Sequence, residues 1–293
     1  MRKLHFYKAK TRLGIINPSI HEKDLNFGVE DAPDAILTKE FLSHFNYAVS
    51  EYSFSKPENI DKNKYFDFIY KEYSLFKNFI NKTLKHDEIQ VIIGGDNSIT
   101  FSSLLALFQR AKDPKRVGYI QFDSHGDMNL YATSPTKNFH GMYLRPFLDS
   151  FDSHKIKSLV SQKLIPQNTL FIGDLDLDKE EKVFFNKIGF KNIDRNDVLG
   201  SLDHVLKKLK EFVESFGYIH VNFDVDVFNN KEVLATGIPS AKGFMLYELL
   251  PLIEIVSWHP NLSLDLSEVN PNKEDRDKTI KIAQKVLSTF LYI

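Results

Sequence analysis

Short apolar runs alternate with longer amphipathic segments along most of the chain. The runs at 90–95 (QVIIGG), 116–125 (RVGYIQFDSH), 169–174 (TLFIGD), 218–226 (YIHVNFDVD) and 262–269 (LSLDLSEV) are short. Several end in Asp, Gly or His, and they read as buried strands. Between them the spacing changes to three and four residues. In 61–86 the apolar set is Tyr65, Phe66, Ile69, Tyr73, Phe76, Ile80 and Leu84, which predicts a helix with one buried face. Segments 98–110, 179–188, 201–216, 244–257 and 274–292 share that pattern. Alternation of this kind predicts βαβ units and a mostly parallel sheet covered on both faces. Function in such a sheet gathers at the carboxyl ends of the strands, where the acidic residues of this chain lie.

The 293 residues are enough for one large α/β domain or two smaller ones. A net charge near zero with scattered Lys and Arg gives no electrostatic footprint for nucleic acid or a membrane surface. The absence of Cys excludes disulfides, Cys-ligated zinc, iron–sulfur clusters and thiol nucleophiles, and fits a cytoplasmic protein. The first residues, MRKLHFYKAKTRLG, lack the apolar core of a signal peptide. No run approaches the roughly 18 apolar residues of a membrane span.

Three strand ends carry candidate chemistry. Asp123, His125 and Asp127 follow YIQF, and they point one way if the strand continues. Alone, the segment reads as a metal half-site or as a loop with a capping Asp and a surface His. Asp224 and Asp226 follow YIHVNF. Two carboxylates so close repel unless a cation lies between them, although one could instead cap a turn toward solvent. Glu268 follows LSLDLS and could equally be a structural ion-pair residue. Together the three segments put a large negative charge in one crevice, which demands a cation. Oxygen ligands with one or two imidazoles suit a hard divalent ion such as Mn²⁺. Asp174, Asp176 and Asp178 mimic the start of a calcium loop. Lys179 stands where that loop needs Gly and Phe185 where it needs Glu, so calcium is rejected there.

These motifs, in this order, resemble the ureohydrolase superfamily of dimanganese enzymes, which includes arginase, agmatinase and formiminoglutamase. The similarity runs through GVEDAPDAIL (28–37), GGDNS (94–98), DSHGD (123–127), NFDVD (222–226) and EVNP (268–271). It is nearest to arginase, through Asn129, the TKNFHG segment with Thr136, Asn138 and His140, and the Ile172–Asp178 segment. The resemblance implies a three-layer α/β/α sandwich with a central, mostly parallel sheet of about eight strands, as a single domain over 1–293. It implies hydrolysis of L-arginine to L-ornithine and urea by a metal-bridging hydroxide. Asp123 and Asp224 would bridge two Mn²⁺ ions, Asp127 would complete one shell, and His125 and Asp226 the other. Asp127 would also take part in catalysis. His140 would shuttle protons and Glu268 would pair with the guanidinium. Asn129, Thr136, Asn138 and Asp178 would hold the amino-acid head of the substrate. A homo-oligomer, trimeric or hexameric, is the family's usual form.

Three departures stand out. Asn97 replaces a metal-binding His; it is expected to ligate through its amide oxygen, a weaker ligand than imidazole, so one of the two ions is expected to bind weakly. Asn229 and Asn230 replace an Asp-Pro pair, which is expected to loosen Asp226. Ile238 stands at a position usually Thr, and Lys242-Gly243 alters a double Gly. They leave two further readings. One is a relative that cleaves formiminoglutamate or another guanidino or formimino compound, with Arg145 as a carboxylate partner unless it is a surface residue. The other is a degenerate member acting as a binding or scaffold protein. A single-zinc deacetylase-like site is more remote, given the excess of carboxylates. His86, His204 and His259 read as ordinary surface or core residues.

Overall fold

The computed structural model describes residues 2–16, 26–55, 61 and 64–292. Its strands are β1 (Lys3–Ala9), β2 (Asn46–Tyr52), β3 (Glu88–Gly94), β4 (Val117–Phe122), β5 (Thr169–Ile172), β6 (Lys191–Ile193), β7 (Tyr218–Asp224) and β8 (Leu262–Ser267). They form one sheet in the order β2-β1-β3-β8-β7-β4-β5-β6. Every neighbouring pair is parallel, and helices cover both faces as a three-layer α/β/α sandwich.

Side chains alternate across each strand, so each strand feeds two cores. Phe6, Val91, Ile93, Val221, Phe223, Leu264 and Leu266 pack on one face with residues of helices Leu246–Ser257 and Arg276–Leu291. Tyr7, Ile92 and Tyr119 face the other way, toward helices Tyr65–Thr83 and Thr100–Ala111. Full burial of each large apolar side chain contributes about 1.5–3 kcal/mol. The second face is partly polar at its centre. His220 Nε2 lies 3.0 Å from Asp265 Oδ2, and Asp265 Oδ1 accepts a hydrogen bond from Ser103 at 2.7 Å. Asn222, on the same face of β7, accepts one from Thr100 at 3.1 Å.

The five strands and six long helices expected from the pattern are present. Three further strands are not legible in it. β1 alternates apolar residues with His5 and Tyr7, whose polar ends are bonded to Glu88, Ser50 and Thr83. β2 is an edge strand with no fully buried residue, and β6 has three residues. Arg145 is not a surface residue. It stacks 3.5 Å from the centre of the Phe184 ring, donates to the Met128 carbonyl at 3.1 Å, and pairs with Asp149. Among the described residues no helix is long and apolar enough to cross a membrane.

Four strands that are neighbours in space, β3, β8, β7 and β4, end side by side. Their carboxyl ends are residues 94, 267, 224 and 122. The candidate site is built on the segments that leave them.

Candidate metal and active site

The segment after β3 is pinned before it reaches the site. A Cβ on Gly95 would lie 1.8 Å from the Thr11 carbonyl oxygen, so only glycine permits this approach. Asp96 is fully buried. It accepts hydrogen bonds from the Gly14 and Ser98 backbone N–H groups, both at 3.0 Å, and from the Ser98 hydroxyl. Burial nevertheless raises its pKa to about 6. Asn97 follows directly and faces the acidic cluster.

β4 ends at Phe122, so simple alternation does not carry on through the DSHGD segment. A turn does the aiming instead: the His125 N–H donates to Asp123 Oδ1 at 2.7 Å. Asp127 has φ 52°, a left-handed conformation, which turns its carboxylate toward Asn97 and Gln121. Across the sheet, Asp226 Oδ1 accepts from the Ser124 N–H at 3.1 Å, and the Ser124 hydroxyl donates to the Asp226 carbonyl at 2.8 Å. His125 Nδ1 lies 3.0 Å from Asp226 and 3.5 Å from Asp123. Asp123, His125 and Asp226 each offer a ligand atom, all within 4.8 Å of one another. Asp224 is beside them, with Oδ1 accepting from the Asp226 N–H at 2.9 Å.

The electrostatics fit a cation. Burial first, and then the charge of Asp226, push the Asp123 carboxyl up to about 6. The same causes, with Asp123 and Glu268 added, raise Asp224 well above the carboxylate range. Burial and Asp123 do the same to Asp127. Burial works against a charged His125, but Asp226 and Asp123 overcome it and raise that imidazole. A donor set of two carboxylates and one imidazole suits a hard divalent ion.

Glu268 closes the far wall. Its backbone is left-handed at φ 67°, and its N–H donates to the Gly95 carbonyl at 2.8 Å. Oε1 accepts from the Asn97 N–H at 3.0 Å and Oε2 from Asn26 Nδ2 at 2.5 Å. Burial and the nearby Asp96 raise its pKa to about 8. His140 Nδ1 is 4.0 Å from Glu268 Oε1. Burial, then His125, lower that imidazole to about 4, so it is neutral at pH 7.

Asn97, His125, Asp127, Asn129, Thr136, His140, Asp178, Asp224, Asp226 and Glu268 share one cavity of about 280 Å³. Asn129 Nδ2 donates to Asp178 Oδ2 at 2.8 Å. Asp178 also starts helix Lys179–Ile188 in a capping box with Glu181. Asp123 lies beneath the cavity wall at zero exposure. Asn138 is buried in front of Phe139 and does not line the cavity.

Several lining or supporting residues carry no motif signal. Asn26 meets Glu268 from 242 positions away, and Glu181 sits inside a helical pattern. Glu181 accepts from the Met128 N–H at 2.9 Å, and burial raises it to about 7. Gln121 lies inside an apolar run. The Asn229 amide donates to the Ala241 carbonyl and accepts from the Lys231 N–H, holding the 229–244 loop. Asp226 is fastened by Ser124 instead, so the loosening expected from Asn229 is not what the geometry gives. Ile238 is 54% exposed at the cavity mouth.

The model of the Arginase family matches residues 18–292. A protein named arginase from Staphylococcus aureus (strain COL) is 30% identical over 216 residues, covering 72% of this chain and 70% of that protein. The structure of Entamoeba histolytica arginase in complex with L-ornithine superposes with a TM-score of 0.86 at 23% identity, covering 100% of this chain and 99% of that one. Formimidoylglutamase from Bacillus subtilis superposes with a TM-score of 0.70 at 19% identity, covering 100% of this chain and 87% of that one.

Proposed function

This chain belongs to the arginase family, and on that premise we propose that it hydrolyses L-arginine to L-ornithine and urea, with Mn²⁺ as the cofactor. The observation that carries the reading is the Asn129–Asp178 pair, which lines the same cavity as Glu268 and the metal-binding acids. A substrate with a cationic guanidinium at one end and an α-amino group at the other has a partner for each.

Asp123, His125 and Asp226 would hold a cation. Such an ion, when bound, makes hydroxide available near neutral pH by acidifying water. Glu268 orients the guanidinium. Its two oxygens are fixed by Asn97 and Asn26, and a cation entering the pocket favours the charged carboxylate that burial disfavours. Hydrolysis adds a water oxygen to the guanidinium carbon and breaks the bond to the side-chain nitrogen, which takes up a proton. His140 is neutral and partly open to solvent, and relays protons at the cavity mouth. Asp178, held by Asn129, faces the α-amino group, and Thr136 lies in the same wall. Arg145 is engaged with Phe184 and Asp149, so a second substrate carboxylate has no partner there.

The test is urea release from L-arginine by manganese-loaded protein, with agmatine and formiminoglutamate in parallel. Turnover of arginine well above the other two is expected. Preference for formiminoglutamate would replace the substrate, and no turnover of any of them would leave a metal-binding protein without this activity.

A further inference from the structure

We propose that the chain holds one divalent cation, at Asp123, His125 and Asp226, and that the side-chain amides of Gln121 and Asn97 take the place of a second. This rests on the metal-dependent reading above and concerns how many ions the acids accommodate.

The acidic cluster has two sides. On one, three ligand atoms converge within 4.8 Å. On the other, Asp127 and Asp224 face nitrogen. Asn97 Nδ2 donates to Asp127 Oδ2 at 2.6 Å and to Asp224 Oδ2 at 3.4 Å. Gln121 Nε2 donates to Asp123 Oδ2 at 3.0 Å, to Asp127 Oδ2 at 3.4 Å and to the His125 carbonyl at 3.3 Å. Asp127 Oδ2 thus accepts from both amides, which occupies the two acceptor directions of a carboxylate oxygen. An amide nitrogen donates and does not ligate, so each contact lowers the charge available to an ion on that side.

The orientation of Gln121 is set from behind. Its Oε1 accepts from the Tyr119 hydroxyl at 2.8 Å and from the Tyr143 hydroxyl at 3.4 Å. Tyr143 in turn accepts from Asn222 Nδ2 at 2.7 Å, and Asn222 Oδ1 accepts from the Thr100 hydroxyl at 3.1 Å. Donors run in one direction, from Thr100 through Asn222, Tyr143 and Gln121 to the acids. All are buried in the polar layer between the sheet and helix Thr100–Ala111. With Oε1 engaged by two phenols, Nε2 is the atom left to face Asp123 and Asp127. Reversing it would set a carbonyl oxygen against Asp123.

Asn97 approaches the same acids from the turn after β3, although its Oδ1, unlike the Oε1 of Gln121, is buried without a hydrogen-bond partner. The Asn97 N–H is engaged by Glu268, which fixes its backbone, while its side chain reaches Asp127 and Asp224. The two amides, from β4 and from the turn after β3, therefore meet Asp127 with hydrogen bonds, and Asn97 meets Asp224, where a second cation would otherwise stabilise them by charge.

The experiment is a metal count on the full chain. Wild type, Asn97→His and the double variant Asn97→His/Gln121→Leu are dialysed to equilibrium against excess Mn²⁺. Bound manganese is then measured by mass spectrometry, and its magnetic state by electron paramagnetic resonance. One magnetically isolated ion per wild-type chain is expected, with a second, exchange-coupled ion in the double variant. Asn97→His keeps the strand core intact and is expected to show partial coupled signal if the double variant fails to fold. A coupled pair in wild type would overturn the proposal, as would no bound ion, or a folded double variant that still holds one. None of these readouts needs turnover. Two coupled ions with arginine hydrolysis would sink this inference alone, and one isolated ion without hydrolysis would sink the activity alone.

Discussion

Asn129 and Asp178 meet at 2.8 Å, tying the loop that leaves β4 to the first turn of helix Lys179–Ile188. The pair lines the same cavity as Glu268 and sets a specificity prediction. Asp178→Ala is expected to raise KM for arginine by roughly 10–100-fold, the worth of a charge-assisted hydrogen bond of about 1.5–3 kcal/mol. KM for 5-guanidinopentanoate, which keeps the carboxylate but has no α-amino group, is expected to move much less. Steady-state kinetics with both substrates check it, and equal losses would remove Asp178 from substrate recognition.

Glu268→Gln is expected to lower kcat/KM for arginine by about 100-fold or more, because the guanidinium loses its charged partner. Bound manganese is expected to stay unchanged, since Glu268 is not in the converging ligand set. Loss of metal together with activity would reassign the residue to metal support.

Ser124 offers a smaller, separable effect. Its hydroxyl fastens the Asp226 carbonyl at 2.8 Å, and its N–H holds the Asp226 carboxylate at 3.1 Å. Ser124→Ala removes only the first, about 1 kcal/mol. A several-fold weaker manganese affinity is expected by calorimetric titration, with the fold intact.

Stability should fall with rising pH in the metal-free protein. Burial raises Asp96 and Asp123 to about 6, Glu181 to about 7 and Glu268 to about 8. Each therefore binds its proton more tightly folded than unfolded. Between about pH 4 and 8 the folded state holds the extra protons, and stability is lost across that window as pH rises. A cation at Asp123, His125 and Asp226 opposes the loss. Melting temperatures with chelator are expected to drop from pH 5 to 8, and the gain on adding Mn²⁺ is expected to be largest at pH 8. A flat profile with chelator would count against charge repulsion as the cost of this site.

Much of this was legible from residue spacing. The pattern of apolar runs predicts the central strands because those strands are buried on both faces and contain little else. It passes over β2 and β6, an exposed edge and a three-residue strand, where burial leaves no periodic trace. The acids that end β4, β7 and β8 stand out because three like-charged strand ends meet. The amide that opposes them does not: Gln121 sits in an apolar run and acquires its meaning only from Tyr119, Tyr143 and Asp123 in space. Asn26 has the same history, since its link to Glu268 spans 242 residues. Asn138 is a motif position whose side chain the fold buries, which spacing alone does not reveal.

The strand order carries a consequence for assembly. β8 is the last strand in the sequence, yet it is inserted between β3 and β7 at the middle of the sheet. Without it, the strand pairings divide into two ribbons, β2-β1-β3 and β7-β4-β5-β6. Asn97 then sits on one ribbon, and Asp123, His125, Asp224 and Asp226 on the other. Such long-range pairing is slow to form, because the loop entropy is lost before the contacts are gained. Joining the ribbons also delivers Glu268, whose N–H grips Gly95 on the β3 side. The two halves of the pocket are thus joined through β8, the strand that leads into Glu268.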